Sequence, residues 1–404
     1  MSRAIADIEF VVKAVPFGGG ATEFQQSMAP HPLIYQELPY DPKFGVYNRR
    51  LRSLAYANAD TRDLYWRLRR QVMVSHTGEL PLEIRGPDAE AFLDLVFTRS
   101  IAKVRVGRSS YQIACYPDGG TIMDGVLMRL ESDRFWYVQG DGEFYSWLRA
   151  QAVGFDVEVF NPRVWVSQVQ GPRSLDVLEA VADEGLPKKF GYFDMAEIHI
   201  DGQRVIVTRT GFTNELGWEF YLESEVDAAA IGDRIMFAGQ EWGIHTTPAE
   251  VTNARRIEGG LLFVGTDFDQ DTTPFDIGLG ALVDFNKGDF VGRSALEAAD
   301  RRNRTWGLQV NGGTPCKGDS VFIDGDNAGR VTSSAWSPTL QCGIAFVRLD
   351  DRDQGPGTVL DVACMDGKTH SGEVCELPFY DRAGDIPRGR TSEIPEIPAG
   401  LAPL

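Results

Sequence analysis

The chain has 404 residues, a formal net charge of −18, 43% hydrophobic and 24% charged residues. That length exceeds one ordinary hydrophobic core and implies two or three domains. The acidic balance argues against nucleic acid, an anionic membrane or an acidic protein as the main partner. It favours a cationic small molecule only mildly, because an acidic surface also serves solubility.

The five cysteines (Cys115, Cys316, Cys342, Cys364, Cys375) are scattered and odd in number. They give no metal cluster and no disulfide framework, so a reducing, cytoplasmic setting is expected. Met1 to Gly20 carries Asp7 and Glu9 and lacks a basic start followed by an apolar core, so no secretory signal is expected. No apolar run approaches membrane-spanning length.

In chain order, Leu82 to Arg85 reads as a strand that meets Gly86-Pro87 and then a helix over Asp88–Phe97. Strands follow at Ser109–Tyr116, Thr121–Leu130 and Arg134–Gln139, with Pro117-Asp118-Gly119-Gly120 as a hairpin turn between the first two. A helix (Glu143–Ala152) and a strand (Asp156–Phe160) complete the unit. The pattern then restarts. Val166 to Gln170 meets Gly171-Pro172 and a helix over Arg173–Ala182. Strands near Ala196–Ile200, Arg204–Thr210 and Trp218–Leu222 and a helix near Val226–Trp242 follow. In both copies the proline is placed near the first helical turn, where its missing N–H is harmless. The echo predicts two related α+β units.

A further helix starts at Thr247-Pro248-Ala249-Glu250, with Thr247 as N-cap of a capping box, and stops at Gly259-Gly260. From about Thr305 short strands alternate with Gly/Asp/Asn turns, as in a small all-β domain. The tail from Ile394 is rich in Pro and Ala and is expected to be extended.

Asp124 is the sharpest single residue. Strand alternation puts Ile122, Asp124, Val126 and Met128 on one face, and a carboxylate in an apolar row needs a ligand or a hydrogen bond. Gly125 beside it would let a ligand approach the backbone. Glu219, between Trp218 and Phe220, shares a face with Tyr221 and Glu223, and reads equally as solvated or as a ligand carboxylate. Arg256 fits either a carboxylate-bearing ligand or an exposed helix face, and Tyr111 either a contact or the core. His76 could be a general acid, yet a lone histidine is more often structural, and five unpaired histidines give no metal site. There is no Walker loop, no GxGxxG after a strand, no GxSxG and no HExxH.

Eight short blocks in order carry a family resemblance. They are Val74-Ser75-His76-Thr77-Gly78, Gly119-Gly120 with Asp124, Val169-Gln170-Gly171-Pro172, and Thr210-Gly211-Phe212-Thr213 with Glu215 and Gly217-Trp218-Glu219. Arg256-Ile257-Glu258 with Gly260, Thr272-Thr273-Pro274 with Gly278-Leu279-Gly280, Asp289-Phe290-Val291-Gly292, and Gly329-Arg330-Val331-Thr332-Ser333 with Ser337-Pro338 complete the set. Together they resemble the folate-binding family of the glycine-cleavage aminomethyltransferase (T-protein) and the tetrahydrofolate-dependent demethylases.

The resemblance implies an α+β fold: two related ferredoxin-like units around a central folate hole, plus a small C-terminal β-barrel or jelly-roll domain. It divides the chain into a folate-binding domain (1–70 with 164–300), a second α+β domain (71–163) and the β domain (301–404). By resemblance Asp124 is the catalytic aspartate near the reactive folate nitrogen. Glu219 grips the pterin edge, Tyr111, Arg256, Gln170 and Trp218 join it as folate contacts, and His76 and Gln139 fall to the substrate side. The N-terminal part, with Pro16-Phe17 and Val46-Tyr47-Asn48, looks closest to the branch that demethylates dimethylsulfoniopropionate. A methyl donor of sulfonium or betaine type is therefore expected, with aryl O-demethylation, aminomethyl transfer and non-catalytic folate binding as alternatives. The aminomethyltransferase usually has an arginine where this chain has Thr252, and an acidic chain would repel an acidic lipoyl carrier, so that partner is not expected.

Overall fold

The computed structural model describes residues 28–391 and 393–398. Pro16-Phe17, the Met1–Gly20 start and the tail beyond Pro398 lie outside the described residues. The described chain opens with a hairpin, β1 (Pro42–Tyr47) and β2 (Arg50–Tyr56), helix α1 (Thr61–Arg70) and strand β3 (Met73–His76). The first unit comprises β4 (Leu80–Arg85), α2 (Ala89–Val96), β5 (Arg108–Cys115), β6 (Thr121–Arg129), β7 (Arg134–Gln139), α3 (Phe144–Gln151) and β8 (Glu158–Phe160). The second comprises β9 (Trp165–Gln170), α4 (Ser174–Val181), β10 (Met195–Ile200), β11 (Gln203–Thr208), β12 (Gly217–Leu222), α5 (Ala228–Gly239) and β13 (His245–Thr246). Helices α6 (Ala249–Glu258) and α7 (Arg293–Ala298) lead to β14 (Thr305–Val310), β15 (Ser320–Ile323), β16 (Asp326–Ser337), β17 (Cys342–Leu349), β18 (Val359–Ala363) and β19 (Thr369–Cys375).

The repeat seen in the sequence is real. The two sheets run β5-β6-β7-β4-β8 and β10-β11-β12-β9-β3-β13, each a three-stranded meander set against the strand that precedes a helix. At both strand ends glycine is required. Gly86 (φ 138°) and Gly171 (φ 121°) have positive φ, and a Cβ there would sit 2.4 Å from the Asp156 carbonyl oxygen and 2.6 Å from that of Gln71. The prolines lie in the turns before the helices, which begin only at Ala89 and Ser174, rather than inside the first turn.

Helices cover the outer face of each sheet. Phe92, Leu93 and Val96 of α2 pack on Leu82, Leu127 and Tyr137, while Val177, Leu178, Ile231 and Ile235 of α4 and α5 pack on Val169, Val205 and Phe220. The inner faces meet each other through Met128, Trp136 and Val138 on one side and Val166, Ile206 and Tyr221 on the other. The C-terminal strands close into a barrel in the order β14-β17-β16-β15-β18-β19.

Three expectations change. Strand β3 pairs with β9 and β13, so residues 73–76 belong to the second unit's sheet and not with 71–163. Helix α6 is capped by Pro248, not by Thr247. The Thr247 amide donates to the Val74 carbonyl as the parallel β13–β3 pairing continues, which leaves its hydroxyl buried without a partner and breaks the capping box. Gly125 is required by packing and not by a ligand: a Cβ would lie 2.4 Å from the Val138 carbonyl oxygen and 2.9 Å from the Tyr137 hydroxyl.

One buried charge cluster ties the units together. Arg255 is fully buried and reaches Glu258 (2.6 Å) and Glu215 (2.8 Å). Arg69 of α1 also pairs with Glu215. Glu258 further accepts from Tyr65 (2.7 Å), Ser337 of β16 (2.5 Å) and Tyr380 (2.9 Å). Every lone pair is used, which is the condition for a buried ion pair to be tolerated. Glu258→Gln is expected to lower unfolding free energy by about 3–5 kcal/mol, read as a shifted urea midpoint, because it leaves Arg255 under-compensated. A loss below about 1 kcal/mol would show that the cluster does not join the domains.

Candidate active site

Strand β12 is buried along its whole length, so alternation alone decides what each residue meets. Trp218 and Phe220 face the outer helices and belong to that core. Glu219 and Tyr221 face inward, toward the other sheet. The Glu219 carboxylate accepts from the Gln168 amide (2.8 Å), the Thr210 hydroxyl and the Tyr221 hydroxyl (3.3 Å). None of these donors is charged, and no cation pairs with Glu219 among the described residues. Burial pushes its carboxyl up to about 7; Thr210 opposes the rise, and nearby Glu79 adds to it.

Asp124 occupies the matching inner face of the first unit's sheet. Asp124 and Val126 look inward with Met128, while Met123, Gly125 and Leu127 look outward. Ile122, next to a bulge in the β5–β6 pairing, packs outward instead of sharing the Asp124 face. The Tyr111 hydroxyl donates directly to the Asp124 carboxylate. Burial raises the Asp124 carboxyl to about 6, the Tyr111 bond works against this, and Asp267 adds to it. Asp124 and Tyr111 remain partly accessible although both are deeply surrounded, as residues lining an internal hole must be. Tyr47 and Tyr192 share that property. Tyr47 is influenced by both Glu79 and Asp124, and Tyr192 by Glu219. An opening of about 340 Å³, lined by Tyr47, Arg52, Phe212, Arg256, Phe263 and Lys317, reaches Tyr47; neither Asp124 nor Glu219 is in its lining.

The structure therefore brings Asp124 and Tyr111 into contact and places Glu219 on the facing sheet. The other expected site residues have different work. Gln170 is fully buried; its amide donates to the Thr210 carbonyl (3.2 Å) and accepts from the Thr213 hydroxyl (2.8 Å). It sits between Gly211 and Gly217, where a Cβ would lie 2.1 and 2.2 Å from its amide. Gln170 is thus a brace for the 210–217 turn and not a folate contact. Trp218 packs against Phe190 on the outer face, rings tilted at 60°, and cannot reach a ligand held by Glu219.

Arg256 lines the opening, but its donors go to Asp267, Ser333 (2.7 Å), Asn253 (3.0 Å) and the Leu261 carbonyl (3.0 Å). It fastens α6 to the barrel. His76 is 2% exposed, bonds Ser167 (3.0 Å) and Gln36 (3.2 Å), and stacks on His31. Burial holds its pKa down to about 3, so it is a neutral structural histidine and no general acid. Gln139 is fully buried against Asn48 and borders a different cavity. Residues that sequence reasoning missed are Tyr47, Glu79, Tyr192, Thr210 and Asp267, none of which has a local pattern.

Tetrahydrofolate fits this hole on two counts. The pterin edge offers adjacent N–H donors, and Glu219 is a buried carboxylate with no cation to neutralise it. The second carboxylate oxygen of Glu79 is also buried without a partner. These two carboxylates suit an N–H-rich ligand.

A stability test follows from the raised carboxyls. A carboxyl whose folded pKa exceeds the unfolded value near 4 binds its proton more tightly in the folded state, so stability falls as pH rises from about 4 through that folded value. Asp124→Asn removes this loss, and the gap in Tm between variant and wild type without folate should move in favour of the variant from pH 5 to 7.5. A gap that stays constant or reverses would contradict the assignment of a buried, costly Asp124 carboxylate.

Residues 47–287 match the GCVT N-terminal domain, and residues 303–381 match the glycine cleavage T-protein C-terminal barrel domain. An aminomethyltransferase of Bacillus subtilis is 32% identical over 321 residues, 76% of this chain and 87% of that protein. A trimethylamine-oxide aldolase of Ruegeria pomeroyi is 35% identical over 324 residues, 76% of this chain. The match spans 41% of that relative's length. The crystal structure of glycine cleavage system aminomethyltransferase T from Bartonella henselae shares the fold, with a TM-score of 0.79 at 24% identity over 88% of this chain and 99% of that one. Matched domains, repeat and barrel together make the chain a member of the glycine cleavage T-protein family.

Proposed function

We propose that this family member is a tetrahydrofolate-dependent demethylase acting on a small methylated cation, a sulfonium such as dimethylsulfoniopropionate or a betaine. The observation that carries this is the pair of inward carboxylates, Asp124 and Glu219, raised to about 6 and about 7 and lacking any cationic partner among the described residues. Tetrahydrofolate supplies the nucleophilic N5 when bound. Glu219, ionised by the gain of two N–H donors, orients the pterin, and its bonds to Gln168 and Thr210 keep it from turning away. Asp124 lies at the reacting side and accepts the proton that N5 gives up as the methyl carbon changes partner. A carboxyl poised near 6 is matched to that exchange at neutral pH. Alignment supplies most of the remaining acceleration.

The leaving group decides between donors. A sulfonium departs as a neutral thioether and needs no acid, whereas an aryl ether departs as a phenoxide and does. His76 cannot serve, and the Tyr111 proton is already committed to Asp124. Glu79 and Asp124 carry carboxyls without an ion pair among the described residues, and Tyr47 and Phe263 offer ring faces, both of which favour a cationic donor. The aldolase relative is named for a methylated nitrogen compound. A second reading, aminomethyl transfer, draws support from relatives of that name at 30–32% identity. Against it, the Thr252 hydroxyl is turned back on the Ala249 carbonyl (2.9 Å), so no side-chain cation stands at that position.

Incubation with tetrahydrofolate and a panel of methylated sulfonium, betaine and methoxyaryl compounds is expected to give 5-methyltetrahydrofolate, seen by mass spectrometry, from a cationic donor only. Asp124→Asn should lower that rate by about 100-fold or more while folding is retained. The wild-type rate should rise with pH through about 6 as Asp124 ionises. Full activity in the variant, or turnover only with an aminomethyl donor, would overturn the proposal.

A further inference from the structure

A second cavity of about 630 Å³ opens where the β1–β2 turn, the end of β7 and the 161–165 linker between the two units converge. Its lining includes neither Asp124 nor Glu219, and its volume is that of a small-molecule site. Arg49, Arg50 and Arg163 all border it, and none forms an ion pair among the described residues. This concentration of uncompensated cations is unexpected in a chain of net charge −18.

The floor is built and rigid. Arg50 is 5% exposed; its two terminal nitrogens donate to the carbonyls of Glu79 (2.7 Å) and Val164 (2.9 Å), and its guanidinium lies 4.1 Å from the Trp165 ring centroid. The positive charge is thus fixed in place by backbone carbonyls and a ring face, without an ion pair. Burial draws its pKa down to about 10, and the Glu79 charge only partly opposes the fall. Beside it Gln139 donates to Asn48 (3.2 Å) and the Gly142 carbonyl (3.2 Å), which leaves its side-chain oxygen fully buried with no partner. Arg49 and Arg163 stand exposed at the rim on backbone of positive φ (59° and 60°), so the turns themselves set where these side chains leave the chain. Asp141 and Glu143 also border the cavity; the Asp141 carboxylate is engaged by the Asn48 amide at 2.8 Å.

We infer that this cavity is a second ligand site, built for a small carboxylate that also carries a hydroxyl or amino group. The planar guanidinium forks match a carboxylate. The orphaned Gln139 oxygen asks for a donor that a plain carboxylate lacks. Because the cavity is walled by both units, occupancy would also hold them in one relative position.

Calorimetric titration of the full chain with L-malate and with succinate tests this, since the two differ by one hydroxyl. Malate should bind saturably, and succinate at least tenfold more weakly. Arg49→Gln/Arg163→Gln, both at exposed positions, should weaken malate binding at least tenfold and leave tetrahydrofolate affinity unchanged. The idea fails if malate does not saturate, if the double variant binds it equally well, or if tetrahydrofolate displaces it, which would put malate in the Asp124 hole.

Discussion

Everything in this structure leans on two consecutive arginines of helix α6. Neighbouring positions on a helix point in different directions, so Arg255 and Arg256 reach different bodies. Arg255 turns to Glu215, Glu258 and Tyr380, and through Glu215 it holds the turn that ends in Glu219's strand. Arg256 turns to Asp267 and to Ser333 of the barrel. The hole is bounded by segments that have no covalent reason to stay together. The two guanidinium groups supply that reason, and they do so without exposing a charge to the ligand.

This explains an apparent contradiction in the interior. Buried arginines surround the hole, yet the carboxylates that face it are left with neutral partners. Arg69, Arg255 and Arg256 are already spent on structural anions, Glu215, Glu258 or Asp267. Glu219 and Asp124 are spared. They keep raised affinities for protons, and hence for N–H donors, because the protein has directed its positive charge elsewhere.

Much of the fold was legible from local pattern. The Gly-Pro echo, the Pro117–Gly120 hairpin and the two-residue alternation of β6 and β12 each report a constraint acting within a few residues. Asp124 was legible for the same reason, as a carboxylate breaking an apolar row. The residues misread from sequence have partners far away. The side chain of His76 finds Gln36 and Ser167, 40 and 91 positions distant. Gln170 is fixed by Thr213 and two glycines across a turn. Trp218 and Glu219 are adjacent in sequence but lie on opposite sides of a sheet, so a matching block expected both at the site when only Glu219 faces inward. Thr247 carries a sound capping signal that the β13–β3 pairing overrides.

The Glu258 cluster also dictates an order of assembly. Its carboxylate accepts from Tyr65, made 193 residues earlier, and waits for Ser337 and Tyr380, made 79 and 122 residues later. A nascent chain that has just emerged past α6 holds a Glu258 carboxylate whose Ser337 and Tyr380 donors are still to be made. The α+β units can therefore collapse early but cannot be sealed until the barrel and the segment after β19 that carries Tyr380 are delivered. Synthesis itself becomes the last step in joining the α+β units to the barrel.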